Sequence, residues 1–206
     1  MDTSALITAF VTLFVIIDPI GLMPMFVALT QGADSATRRS IALRSCLTAF
    51  GILALFAFFG ESVLGFVGIS MPAFRIAGGV LLFLTALDML FERRTKRRED
   101  RVEEDESPDP SVFPLAIPLI AGPGSIATVI LLGGQMADGA TGSVLVLGVA
   151  VAVLVVVLGM FLAAGVFERI MGKTGVNVAT RLLGMLLAAL SVQFILEGLR
   201  NFGFAN

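Results

Sequence analysis

Apolar residues run along this chain in six long stretches, Ala5 to Leu29, Ala42 to Val67, Phe74 to Phe91, Val112 to Gly133, Val144 to Phe167 and Leu182 to Leu199. Each is close to the ~20 residues that a helix needs to cross a bilayer. The third and sixth are the shortest, and Arg44 places the start of the second in the interface. The pattern predicts an all-α polytopic membrane protein with six transmembrane helices.

Two of the stretches are interrupted near their centres. The first carries Asp18-Pro19-Ile20-Gly21 and the fourth Gly122-Pro123-Gly124-Ser125, with Pro24 and Pro118 close by as further helix breakers. Proline removes a helical N–H and clashes with the preceding turn, and glycine loosens the backbone, so both spans are expected to break there. The released backbone groups persist at membrane depth only where they are packed within protein or line a watery cavity, which is how secondary transporters build substrate sites. A pair of packing kinks is the plainer account.

The two halves also overlay. At one offset Pro19 meets Pro123 and Asp18 meets Gly122; at an offset slightly longer, Arg75-x-x-Gly78 meets Arg181-x-x-Gly184 and Thr85 meets Ser191. A unit of three spans has an odd number of crossings, so its second copy enters the membrane upside down. The expected organisation is a 3+3 inverted repeat with broken first and fourth helices: residues 1–91, a charged connection over 92–111, and residues 112–206.

Charge placement adds an orientation. The chain is 57% hydrophobic and 15% charged, and the run from Glu92 to Asp109 holds nearly half of the charged residues. Arg38, Arg39 and Arg44 flank the first connection, Arg93, Arg94, Lys96, Arg97, Arg98 and Arg101 fill the third, and Arg169, Lys173 and Arg181 flank the fifth. With six spans these lie on one side, which the positive-inside rule makes the cytoplasm, with both termini outside. The segment from Glu92 to Ser111 reads as a solvated cytoplasmic linker. The N-terminal apolar run is too long for a signal-peptide core and reads as a retained span.

With a lone Cys46 and no histidine, an intramolecular disulfide, thiol transfer, an imidazole metal site and a histidine relay are excluded. The chain is therefore expected to be no enzyme, to hold no cofactor or metal, and to bind lipid bilayer rather than nucleic acid. The small pairs Gly148/Ala152, Gly159/Ala163 and Gly184/Ala188 read as packing faces, within one chain or between the copies of a homo-oligomer.

Asp18 is the sharpest candidate for chemistry, because a carboxylate in mid-span is costly unless it faces a cavity or finds a partner. It suits a substrate ammonium, a coupling cation (H+ or Na+), or a role as N-cap of the restarted helix, and these readings are not exclusive. In the fourth stretch Gly122, Gly124, Ser125 and Thr128 stand at the start of a helix whose free N–H groups favour an anion such as a carboxylate. Opposed to Asp18 and Gly21, that helix end makes a small site for a zwitterion. Gln193 is a further candidate for a hydrogen bond to the site; Thr85 and Ser191 are expected to bond between helices, and Glu61, Asp88 and Glu197 to be solvated near helix ends.

The runs Phe14-Val-Ile-Ile-Asp18-Pro-Ile-Gly21-Leu-Met-Pro24, Pro114-Leu-Ala-Ile-Pro118-Leu-Ile-Ala-Gly122-Pro-Gly-Ser-Ile-Ala-Thr128, Arg75-Ile-Ala-Gly-Gly and Arg181-Leu-Leu-Gly together resemble the MarC family of integral membrane proteins. The resemblance covers nearly the whole chain outside the linker. It implies a prokaryotic inner-membrane protein, related to SnatA-type transporters of small neutral amino acids such as glycine and alanine. A link of the family to antibiotic resistance leaves export of other small solutes, drugs included, as an alternative, beside a non-transporting scaffold. Many relatives carry Asn after Asp-Pro-x-Gly where this chain has Leu22, a departure that bears on specificity or coupling.

Overall fold

The computed structural model describes residues 3–91, 109–137 and 139–203; most of the predicted charged linker, 92–108, lies outside the described residues. Among the described residues every regular element is helical: α1 (Thr3–Ile17), α2 (Pro19–Leu29), α3 (Ser35–Val67), α4 (Met71–Leu90), α5 (Ser111–Ile120), α6 (Pro123–Met136), α7 (Gly139–Leu162) and α8 (Ala164–Phe202). Five helical runs are long and apolar enough to cross a membrane: α1 with α2, α3, α4, α7, and Thr174–Phe202 of α8. The pair α5 and α6, bent by 54°, makes a sixth when counted as one span.

Several helices begin earlier than their apolar stretches, because caps rather than hydrophobicity set helix ends. Asp34 accepts the Thr37 N–H at 2.8 Å and starts α3 at Ser35, a full two turns ahead of Ala42. The hydrogen bonds from Thr37 hold the Asp34 carboxyl below the usual carboxylate range. Ser70 caps α4 in the same way through the Ala73 N–H at 3.4 Å. The last helix starts well before Leu182 and is interrupted at Gly172, whose φ of 59° only glycine adopts readily.

Lipid supplies no hydrophobic drive between helices, so close packing depends on small residues and a few polar ties. Ser143 on α7 donates to the Ala57 carbonyl on α3 at 2.6 Å, and the Cys46 thiol of α3 lies 3.9 Å from the Leu154 carbonyl. Position falls on one helix as it rises on the other, so α3 and α7 run antiparallel. The same logic applies to α4 and α8, the most extensive helix contact among the described residues: a Cβ at Gly198 would lie 3.1 Å from the Pro72 carbonyl oxygen, and one at Gly184 would lie 3.3 Å from that of Ala86. Gly184 thus packs within the chain, whereas nothing lies within 4 Å of a Cβ built on Gly148 or Gly159. The hydroxyls of Thr85 and Ser191 do not bond across this interface as expected. Each donates to its own helix, to Leu81 O at 2.9 Å and Ala188 O at 2.6 Å, the nearest acceptors for a short hydroxyl side chain.

Of the five runs long enough to cross on their own, the broken pair α1–α2 is the most enclosed, with 61% of its most apolar stretch buried against 11% for α3. α3 turns Phe58, Phe59 and Phe66 outward. At one end of α3, Arg44 pairs with Asp109 at 2.7 Å, just ahead of α5. Hydrogen bonds from Ser111 and the neighbouring Arg44 hold the Asp109 carboxyl below its ordinary range. At the other end of α3, the Glu61 carboxylate stands over Gly134, near the close of α6. Together α5 and α6 therefore pass from the Arg44 end of the molecule to the Glu61 end, with their bend between.

Candidate functional site

Pro19 ends α1, since it has no N–H to extend the ladder and restricts the residue before it. Asp18 answers with a left-handed backbone, φ 57° and ψ 64°, the one positive φ outside glycine among the described residues. Aspartate reaches this conformation more easily than most side chains. Its N–H donates to the Phe14 carbonyl at 2.9 Å and its carbonyl accepts from the Leu22 N–H at 3.0 Å, so one residue closes α1 and opens α2. Asp18 Oδ1 accepts the Gly21 N–H at 3.0 Å, while Pro19 takes the first position of α2, where a missing N–H costs nothing. Asp18 is wholly buried, as are its chain neighbours Ile17, Leu22 and Met23, and a mid-membrane aspartate costs about 2.5–3.5 kcal/mol.

Gly21 is required by this geometry: a Cβ there would fall onto Asp18 Oδ2. Gly21→Ala is expected to displace the carboxylate and to destabilise the fold by about 1–3 kcal/mol, read as a lowered unfolding midpoint in detergent. An unchanged midpoint and unchanged function would show that the carboxylate does not occupy this position.

The second break is built from different parts. Phe113 and Ile117 have extended backbone ahead of Pro114 and Pro118, so α5 is irregular, and it gives way at Ala121 to an extended Gly122. Pro123 then starts α6, and the Ile126 N–H bonds the Gly122 carbonyl at 3.0 Å. Gly122 offers no side-chain cap. With no N–H on Pro123, those of Gly122, Gly124 and Ser125 are the donors that the helix itself leaves without an acceptor at this end. A Cβ on Gly124 would stand 2.9 Å from Ile16 Cδ1. The start of α6 thus rests on the last turn of α1, two residues before Asp18. Ser125 and Thr128 are buried, and the Thr128 hydroxyl is sealed from solvent with no hydrogen-bond partner among the described residues.

The structure brings the Asp18 turn and the Gly124 end of α6 against a common stretch of α1. Gln193 stands apart from them: it is exposed and donates to Glu197 Oε1 at 2.9 Å. Pro24, expected to break the first span, lies inside α2, which runs on through it. The interruption is complete one turn earlier at Asp18-Pro19, and Pro24 only deletes one further hydrogen bond from a helix that has already restarted. Ile16, which carries the approach of the two breaks, was not legible in the sequence because it is one apolar residue among many.

Residues 3–202 match the model of the MarC family integral membrane protein. The chain belongs to the MarC family. It is 36% identical over 203 residues, 98% of each chain, to a UPF0056 membrane protein of Methanocaldococcus jannaschii. To the UPF0056 membrane protein YvbG of Bacillus subtilis it is 35% identical, over 98% of this chain and 97% of the relative. To the UPF0056 inner membrane protein YhgN of Escherichia coli it is 34% identical, over 95% and 96%. No solved structure matches the chain. The MarC family match spans both breaks and identifies a multi-pass integral membrane protein, in keeping with an inner-membrane setting. Among the described residues of this MarC protein no group of three or more Cys, Asp or Glu side chains is placed to hold a metal ion.

Proposed function

We propose that this MarC protein is a non-enzymatic transporter of small neutral amino acids, glycine- or alanine-like, or of similar small zwitterions, with its site between the two breaks. The observation that carries the reading is the fully buried Thr128 hydroxyl, without a partner among the described residues, on a helix whose uncapped start packs against the last turn of α1, two residues before Asp18. In this reading the ammonium group pairs with the Asp18 carboxylate. The carboxylate takes the Gly124 and Ser125 N–H groups at the positive end of α6, with the Thr128 hydroxyl as a further donor. Gly21 and Gly124 lie close to Asp18 and Ile16, which restricts the substrate to a small side chain.

The antiparallel pairs α3 with α7 and α4 with α8, and the approach of α6 to α1, join equivalent members of the two halves and support a 3+3 inverted repeat. Alternating access then follows from rocking one half against the other around the breaks. The positive-inside rule orients the Arg44 end and the linker toward the cytoplasm and both termini outward. H+ and Na+ are both compatible with a buried aspartate as coupling ions.

Counterflow of labelled alanine in liposomes tests the reading without knowledge of the coupling ion. Saturable flux that glycine and serine compete is the expected result. Thr128→Val is expected to leave stability unchanged or slightly higher, since it removes a hydroxyl that has no partner, while raising KM by about tenfold through the loss of one ~1.4 kcal/mol contact. A folded protein that moves none of the three amino acids would turn the assignment toward another solute or a scaffold.

A further inference from the structure

At the Glu61 end of the molecule, polar groups from three helices converge on one carboxylate. Gln135 of α6 donates through Nε2 to Glu197 Oε2 at 3.1 Å, and Gln193 of α8 donates to Oε1 at 2.9 Å. Arg75 of α4 brings Nη1 only to 4.0 Å, too long for a hydrogen bond, and its Nε is buried without a partner among the described residues. The guanidinium therefore holds unused donors next to a carboxylate occupied by two amides. Gln135 lies two turns beyond Thr128 on the same side of α6, ~10 Å along the axis. Between them the fully buried Leu131 presses on α4 at Gly78, where a Cβ would lie 2.7 Å from Leu131 Cδ1.

We propose that Gln135, Glu197 and Arg75 form the latch, and Leu131 the apolar plug, of a gate that closes the candidate site toward the Glu61 end. The inference rests on the transport reading above. α4 and α8 are held together by close backbone contacts at Gly198 and Gly184, whereas the end of α6 meets α8 through an amide–carboxylate bond at a part-exposed carboxylate. When Gln135 leaves, the unfilled donors of Arg75 take its place at Glu197, so opening strands no charge. The end of α6 then lifts and withdraws Leu131 from Gly78, which uncovers Thr128 and Ser125. Glu61, another acidic side chain facing the end of α6, is an acceptor like Glu197 and offers no donor in place of Gln135.

The test uses the full chain with Cys46→Ser and the reporter Ser125→Cys in sealed vesicles, labelled by a membrane-impermeant thiol reagent from each side. Adding Glu197→Gln or, separately, Gln135→Leu is expected to raise labelling from the Glu61 end by about tenfold, the response to ~1.4 kcal/mol of lost latch energy. Gln135→Leu, at the exposed end of α6, decides the matter if Glu197→Gln does not fold. Alanine that alters the reporter's reactivity while both variants label at the parental rate overturns the latch and leaves the transport reading standing. A reporter that never reacts from either side, and ignores alanine, overturns both.

Discussion

Asp18→Asn is expected to reduce alanine counterflow by about a hundredfold or more while the protein stays folded. The size follows from losing the charge on a buried hydrogen-bonded partner, on the order of 3 kcal/mol. The fold should survive because asparagine adopts the left-handed backbone as readily as aspartate. Its side-chain oxygen can also keep the 3.0 Å bond from the Gly21 N–H. The variant therefore separates the charge from the cap, which Asp18→Ala would not, since alanine loses both. The checks are initial counterflow rate and unfolding midpoint on the same preparation. Retained flux in the folded variant would reduce Asp18 to the residue that joins α1 to α2, and the ammonium of the substrate would need another partner.

The largest effect on stability is expected from Gly79→Val. A Cβ at Gly79 would stand 2.6 Å from Ile195 Cγ1, 2.9 Å from the Ser191 carbonyl oxygen and 3.1 Å from the Ile195 N. The isoleucine side chain can turn away, but the two backbone atoms of α8 cannot, so α4 and α8 must part along their whole contact. A cost of about 3 kcal/mol is expected, at the upper end for overpacking, and is measured by unfolding in mixed micelles. Gly148→Val is the matched control: nothing lies within 4 Å of its Cβ position, so a change within about 0.5 kcal/mol is expected. Equal costs at the two positions would mean that α4 and α8 do not meet at Gly79.

Much of the candidate site was legible because proline and glycine act on their own backbone. Asp18-Pro19 and Gly122-Pro123 broke their helices where their chemistry says they must, and Asp18 was readable as a cap since the N–H it accepts belongs to Gly21, three residues on. Pro24 misled for the complementary reason: a breaker's effect depends on whether the helix has already been interrupted, and α2 had restarted one turn before it. Gln193 misled because a polar residue in an apolar stretch faces whichever neighbour can bond it, and that neighbour, Glu197, lies one turn away on its own helix. Thr85 and Ser191 likewise found acceptors in their own helices.

By itself the sequence determined the membrane class, the helical content, the places of the two breaks and the family, since apolar length, backbone breakers and matching residues are properties of contiguous chain. Only the tertiary structure decided which residues meet: Ile16 with Gly124, Gly79 with Ser191, and Gln135 with Glu197. Each of these contacts joins helices far apart in the chain. Nothing in the local pattern distinguishes a glycine turned outward, such as Gly148, from one pressed against another backbone, such as Gly79. The choice is made by the packing of all the helices together, where small residues and polar ties, rather than a hydrophobic drive, select the partners.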